Sequence, residues 1–277
     1  MSSNLKAFDA QIAGHTEETP GSENIPRFLQ SDNGFVFKPV TGKRGKREVE
    51  FYELSETYDI SFRQYLAAFD KVIKYGSHEY MGIEDLTYPY EKDHVNVADI
   101  KMGTRTYDAS ATEEKIRLEI AKASKTTTAS LGIRFCGAKL VRPDNGEHLK
   151  FDKDWGKALT KDNILHDGLV KLFSCGGDHL FKDIVEAYLV KLRALLVWFQ
   201  NNRSMAFYSS SLLFVFGRVN ASHKAHHNVT MISEHHGISL KMIDFAHVDP
   251  LDNKAKDQSY IIGLENLISL MEQLLKL

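Results

Sequence analysis

Between Asp183 and Gln200 the apolar residues Ile184, Val185, Tyr188, Leu189, Leu192, Leu195, Leu196 and Phe199 recur at intervals of three and four. That spacing predicts one long amphipathic helix, whose apolar stripe must be buried against other elements. Strand-like runs lie on both sides of it, at 34–38, around 80–86, and at 131–141, 211–218 and 238–244. A helix is predicted to start at Glu48, with acids in its first turn where the helix dipole favours them. A second is predicted over 113–125, with Ile116, Ile120 and Ala123 on one face and Lys115 and Lys122 on another. A third closes the chain at 264–277. The glycine-punctuated basic run 41–47 reads as a turn between the first strand and the first helix. Strands come in pairs separated by helices, without a regular βαβ rhythm, so the expected class is α+β.

Residues 1–24 are polar and read as a flexible arm, 25–90 as a small lobe ending in a hinge, and 91–277 as a larger lobe. A chain of 277 residues suits two lobes sharing a cleft. With 43% hydrophobic residues it can bury a core, which excludes a disordered protein. A net charge of −2 lacks the basic excess of a dedicated nucleic-acid binder. Cys136 and Cys175 have no C-x-x-C spacing and are expected to be reduced thiols. No apolar run approaches the roughly 20 residues of a membrane span, and the N-terminus lacks a signal-peptide pattern. The expectation is a monomer in the cytoplasm or nucleus, with no nucleic-acid partner.

Three segments carry chemistry. In a strand, Asp99 and Lys101 point to one face, and Gly103 lets a ligand approach the backbone. Lys38 ends an apolar strand ten residues before Glu48 on the predicted helix, an arrangement that protein kinases use to hold ATP phosphates. Asp244 leaves an apolar strand and is followed by Phe245, like the metal-binding D-F-G of kinases. Each segment alone is also compatible with an ordinary solvated surface. Together they have the chemistry and chain order of an ATP-dependent phosphotransferase. An ordinary protein kinase is disfavoured, because no H-R-D-x-x-x-x-N is present, and a P-loop enzyme is excluded by the spacing at 42–46.

The residues resemble the inositol polyphosphate kinases, whose signature is P-x-x-x-D-x-K-x-G. This chain has Val95-Asn96-Val97-Ala98-Asp99-Ile100-Lys101-Met102-Gly103, departing only at Val95. The resemblance runs through Phe37-Lys38-Pro39, Glu48-Val49-Glu50-Phe51-Tyr52, Leu131-Gly132-Ile133-Arg134, Ser210-Ser211-Leu212-Leu213, Ile243-Asp244-Phe245-Ala246-His247 and Gly263-Leu264-Glu265-Asn266-Leu267. It implies a two-lobed kinase-like fold with an ATP cleft between a small N-lobe and a larger C-lobe.

By the same resemblance, Lys38 contacts ATP phosphates and Glu48, rather than Glu50, orients it. Glu84, Asp85 and Leu86 form the hinge, where backbone groups of 84 and 86 read adenine. Asp99 holds the ribose, Lys101 bridges the transferring phosphate and the inositol substrate, and Asp244 binds Mg2+ with support from Ser211. Lys115 and Lys122, on a helical segment at about 108–130, match the family's substrate lysines. Leu118 and Glu119 between them are less welcoming to phosphate than the glutamines of some relatives. Lys43, Arg44, Lys46 and Arg47 add cations that suit phosphates. His247 resembles the hexakisphosphate kinases and multikinases, where a protonated imidazole would donate to phosphate.

The histidines 223, 226, 227, 235 and 236 lack supporting cysteines and are not expected to form a zinc site. No base is evident, which suits an acceptor that is already an ionised phosphate. The leading expectation is thus ATP- and Mg2+-dependent conversion of inositol hexakisphosphate to a diphosphoinositol. A multikinase acting on tris- and tetrakisphosphates is the alternative. A phosphate-sensing module is more remote, since it would not need Lys38, Lys101 and Asp244 intact. Net charge was the wrong scale for such a ligand: the cations cluster at 38–47 and 113–125.

Overall fold

The computed structural model describes residues 5–8, 27–223, 229–252 and 255–277. Its first strands are β1 (Lys6–Ala7), β2 (Leu29–Gln30), β3 (Phe35–Pro39), β4 (Phe69–Tyr75) and β5 (His78–Glu84), forming one antiparallel sheet in the order β1-β2-β3-β5-β4. Next come β6 (Tyr90–Met102), β7 (Ile133–Val141), β8 (His148–Phe151), β9 (Met205–Phe207), β10 (Ser211–Val219), β11 (Thr230–Met231), β12 (His236–Ile243) and β13 (Val248–Pro250). Six of these form a second antiparallel sheet in the order β11-β12-β10-β6-β7-β8, while β9 and β13 pair separately. The helices are α1 (Gly42–Glu53), α2 (Ile60–Arg63), α3 (Glu113–Ala123), α4 (Thr127–Leu131), α5 (Lys153–Ala158), α6 (Lys171–Phe173), α7 (Asp178–Asn201) and α8 (Gln258–Leu274). The fold is α+β and two-lobed, as the sequence predicts.

The period of two in the second sheet separates its faces. Ala98, Ile100, Met102, Leu212, Phe214, Phe216, Leu240 and Met242 are buried in one core with Ile184, Tyr188, Leu189, Leu192 and Leu195 of α7. The opposite face carries Asp99, Lys101, Ser211, Leu213 and Lys241, and turns toward the first lobe. There the Met242 N–H donates to Tyr65 O at 2.7 Å, and buried Lys241 Nζ donates to Gln64 O at 2.8 Å and Leu66 O at 2.9 Å. Tyr65 returns its hydroxyl to Lys191 O on α7 at 2.7 Å.

Three boundaries differ from the sequence reading. The basic run is not a turn but the first half of α1: Lys43, Arg44, Lys46 and Arg47 are good helix formers. The helix expected over 113–125 ends at Ala123, and a separate α4 follows, capped by the Thr126 side chain and ending on Gly132 in the left-handed conformation. Ile120, expected on the buried face of α3, is 54% exposed. Lastly, α8 starts at Gln258, six residues before the expected start, where the Asp257 side chain accepts from the Tyr260 N–H.

Candidate active site

The site begins with the pairing of β3 to α1. Lys38 Nζ donates to Glu48 Oε1 at 2.9 Å and to Asp244 Oδ1 at 2.7 Å, joining three segments that are remote in the chain. Glu48 is buried and also accepts from the Phe245 N–H at 3.4 Å. Glu50, on another face of α1, is exposed. Burial alone would lower the Lys38 pKa, but the Asp244 and Glu48 carboxylates outweigh it and hold the ammonium charged. Burial would likewise raise Asp244, and the Lys38 charge outweighs it, so that carboxyl stays below its ordinary range.

Asp244 sits at the end of β12 with φ +65°, a conformation that costs a non-glycine residue of order 1 kcal/mol. Its neighbour Phe245 holds it there. That ring is buried, stacks on Phe51 with centroids 4.1 Å apart, and meets Tyr52 edge-on at 5.4 Å. The Asp244 side chain remains 47% exposed, so the carboxylate is open to a ligand.

Across the sheet, β6 and β10 place Lys101 opposite Ser211 and Asp99 opposite Leu213. Asp99 is buried; burial and then the Asp244 charge push its pKa up to about 6, against the Ser211 hydroxyl, Lys101 and Arg134. Asp99 and Ser211 are buried beside one another, and neither Asp99 Oδ1 nor Ser211 Oγ has a further hydrogen-bond partner among the described residues. Buried polar atoms are normally paired. A buried acceptor and hydroxyl with bonding capacity to spare, beside an open carboxylate and two cations, suit a nucleotide and a divalent cation. The residues present therefore fit both groups: Asp244 and Ser211 could hold the cation, and Lys38 and Asp99 the nucleotide.

At the hinge, β5 ends at Glu84 and the chain turns on Asp85. Its Oδ1 accepts from the Thr87 N–H at 2.9 Å and Thr87 Oγ1 at 2.7 Å. The Asp85 carboxylate thus shapes the turn, while the Glu84 N–H donates to Ala68 O at 2.8 Å and the Asp85 N–H to Gly34 O at 2.9 Å. Leu86 is buried in a small apolar cluster with Ala67, Tyr90, Val97 and Val215, to which Ile83, Leu213 and Ile243 add partly buried surface.

The cations expected to bind substrate separate into two groups. The charges of Arg44 on α1 and Lys115 on α3 both act on His247. Lys43 and Lys46 are exposed. Arg47, in contrast, is consumed by structure: it donates to Asp108 Oδ2 at 3.0 Å, Val248 O at 2.7 Å and Asp249 Oδ1 at 2.9 Å. Lys122 is bound to Glu119 at 2.9 Å, and Glu119 also accepts from Thr106 Oγ1 at 2.9 Å. Burial would raise Glu119, but Lys122, Thr106 and Lys101 outweigh it and keep the carboxylate ionised. Two residues escaped the sequence reading. Arg134, paired in register with Lys101 on β7, was visible only as part of a motif. Asp108, buried and bonded to His247 Nδ1 at 2.5 Å, gave no signal at all. Of the histidines, 226 and 227 lie outside the described residues.

The profile of the family described as inositol polyphosphate kinase matches residues 80–272. Human inositol hexakisphosphate kinase 3 is 31% identical over 215 residues, covering 71% of this chain and 52% of that protein. Rat inositol hexakisphosphate kinase 1 is 33% identical over 209 residues, covering 64% and 48%. Human inositol polyphosphate multikinase is 30% identical over 221 residues, covering 74% and 50%. The chain thus spans about half the length of these relatives. Among solved structures, the inositol phosphate multikinase Ipk2 of S. cerevisiae, in complex with ADP and Mn2+, superposes with a TM-score of 0.72 at 23% identity, covering 87% of this chain and 99% of that one.

Proposed function

This chain belongs to the inositol polyphosphate kinase family, and from that membership we propose that it transfers the γ-phosphoryl group of ATP to an inositol polyphosphate, with inositol hexakisphosphate as acceptor and a diphosphoinositol as product. The observation that carries the reading is the Lys38–Glu48–Asp244 constellation. Lys38 and Glu48 lie outside the matched segment 80–272, yet they meet Asp244 inside it at hydrogen-bond distance.

Phosphoryl transfer depends chiefly on positioning and charge neutralisation. Lys38, fixed by Glu48, neutralises nucleotide phosphate, while Asp99 accepts from the ribose. The hinge backbone at 84 and 86 reads adenine against the apolar cluster around Leu86. Mg2+, held by Asp244 with Ser211 in support, supplies charge neutralisation on the phosphates when bound. Lys101 stands between the nucleotide and acceptor sides. Arg44, Lys115 and His247 receive the acceptor's phosphates, with Lys122 at the outer edge. A phosphate acceptor arrives ionised, so this set needs no strong base.

Glu119 favours a second reading, a multikinase acting on tris- and tetrakisphosphates. An ionised carboxylate near Lys101 repels a phosphate and accepts from a hydroxyl. Incubation with ATP, Mg2+ and either the hexakisphosphate or a trisphosphate, with products separated by charge, distinguishes the readings. A product more anionic than hexakisphosphate supports the first, trisphosphate consumption alone supports the second, and no phosphorylation of either sinks both. Under the second reading, Glu119→Gln raises turnover of hexakisphosphate relative to trisphosphate by about ten-fold, the effect of one charged hydrogen-bond partner.

A further inference from the structure

The buried carboxylate of Asp108 has no counterpart among the residues assigned above, and it is the most heavily bonded acid near the site. It accepts from Arg47 on α1, from the Ser110 N–H at 3.1 Å and hydroxyl at 2.8 Å, and from His247 Nδ1 at 2.5 Å. Asp249 Oδ2 ties the same loop by accepting from the Ala109 N–H at 2.7 Å. Burial would raise the Asp108 carboxyl, but the His247 and Ser110 hydrogen bonds and the Arg47 charge outweigh it and hold it well below the carboxylate range. An ionised carboxylate only accepts. The proton of the neutral imidazole therefore lies on Nδ1, and Nε2 carries the lone pair.

We infer that Asp108 is a positioning residue for the acceptor pocket: it fixes His247 so that Nε2 alone is offered to the anionic substrate, and it stabilises the imidazolium that forms when that substrate binds. The inference rests on the reading of the pocket as an inositol-phosphate site. In the free protein, burial disfavours the imidazolium, as do Arg44 from α1 and Lys115 from α3. Asp108 from the loop opposes them, with Arg47 neutralising part of its charge. The ring is then neutral, and a bare Nε2 cannot donate to a phosphate dianion. A polyanion lying over Arg44 and Lys115 cancels their repulsion, leaving Asp108 as the dominant neighbour. The imidazole takes a proton from solvent at Nε2 and donates it in a hydrogen bond, Nδ1–H remaining on Asp108. Substrate binding and proton uptake are thereby coupled.

Two measurements test this. In 15N-labelled protein at pH 8, long-range 1H–15N correlation, assigned by the signal lost in His247→Asn, should report the Nδ1–H tautomer; an Nε2–H tautomer overturns the inference. Calorimetric titration with inositol hexakisphosphate, in two buffers of different ionisation enthalpy at pH 7.5, should give more proton uptake in wild type than in His247→Asn, by a fraction of roughly one proton. Asp108→Asn should lose that difference and raise the acceptor KM about ten-fold while ATP KM changes far less. Wild-type uptake in a folded Asp108→Asn protein, or equal rises in both KM values, overturns it. If Asp108→Asn does not fold, equal uptake in wild type and His247→Asn overturns it instead. A wild-type protein that binds no inositol phosphate would defeat the proposed function, and the tautomer still decides the Asp108–His247 arrangement.

Discussion

Asp244 combines a left-handed backbone with a carboxylate 2.7 Å from an ammonium, so its backbone and its charge can be separated by substitution. Asparagine tolerates the left-handed region about as well as aspartate. Asp244→Asn should therefore keep the melting temperature within a few degrees while lowering ATP turnover at least 100-fold, the loss of a charge that neutralises phosphate. Undiminished turnover would remove Asp244 from the cation site. Asp108 makes the opposite case, a charge built into the fold. Its pKa is depressed in the folded protein, so the carboxylate contributes stability above the unfolded value near 4, and that contribution is lost as pH falls toward the folded value. The stability gap between wild type and Asp108→Asn, about 3 kcal/mol for a broken buried pair, should be complete at pH 7 and shrink below pH 4; denaturant titrations at pH 7, 5 and 3 check it. Lys38, Glu48, Asp99, Lys101 and Asp244 were singled out by their offsets from apolar strands together with the family resemblance, and the structure brings Lys38, Glu48 and Asp244 into contact. Asp108 was not singled out, because a buried carboxylate in a loop has no periodicity, and its partners lie 61 and 139 residues away.

At the scale of elements, the site strand is held in register by three glycines. The Gly103 N–H donates to Gly132 O at 2.8 Å, and a Cβ on Gly263 of α8 would lie 2.4 Å from that same oxygen. Asn266, one turn on, donates to Leu131 O at 2.9 Å. The motif 263–267 thus marks the place where α8 crosses the end of the Asp99–Lys101 strand. Gly263→Ala should cost about 3 kcal/mol through overpacking, a fall of roughly 6–12 °C in melting temperature, and should impair turnover through the displaced strand. A thermal melt within two degrees of wild type would contradict the close crossing. Helix α7 was readable by its one-sided pattern, and β10 by a continuous apolar run that is buried on both faces. Strand β4 was not: Asp70, Lys71 and Val72 are all exposed, so the alternation that would announce a strand is missing. The start of α1 was hidden for another reason. Gly42 and Gly45 look like turn residues, but Gly45 is a contact glycine, whose Cβ would lie 2.9 Å from the Val40 backbone.

For the whole molecule, the two lobes meet through a shared apolar core, in which Phe51 and Tyr52 pack on Phe245, and through polar links from different elements. Lys241 is buried beneath the segment 64–66, where burial lowers its pKa, and it bonds the carbonyls of Gln64 and Leu66. Lys241→Met should destabilise the protein by about 2–4 kcal/mol by leaving two carbonyls unsatisfied. It should also speed hydrogen exchange in 64–68 before the rest of the core. Uniform exchange across the chain would show that the link has no local role. The α+β class and the two-lobed division were visible in the order of strands and helices, but these links were not, since lysines and backbone carbonyls carry no sequence signature of their partners. They bear on how the molecule can move. Lys241 fastens the segment after α2, whereas Arg47 fastens α1 to the β13 segment through Val248 and Asp249. Helix α1 is thus tied to the larger lobe both through Arg47 and through the Phe51–Phe245 stack, so any tilt of α1 on the Lys38 side also disturbs the Arg47 anchor beside His247.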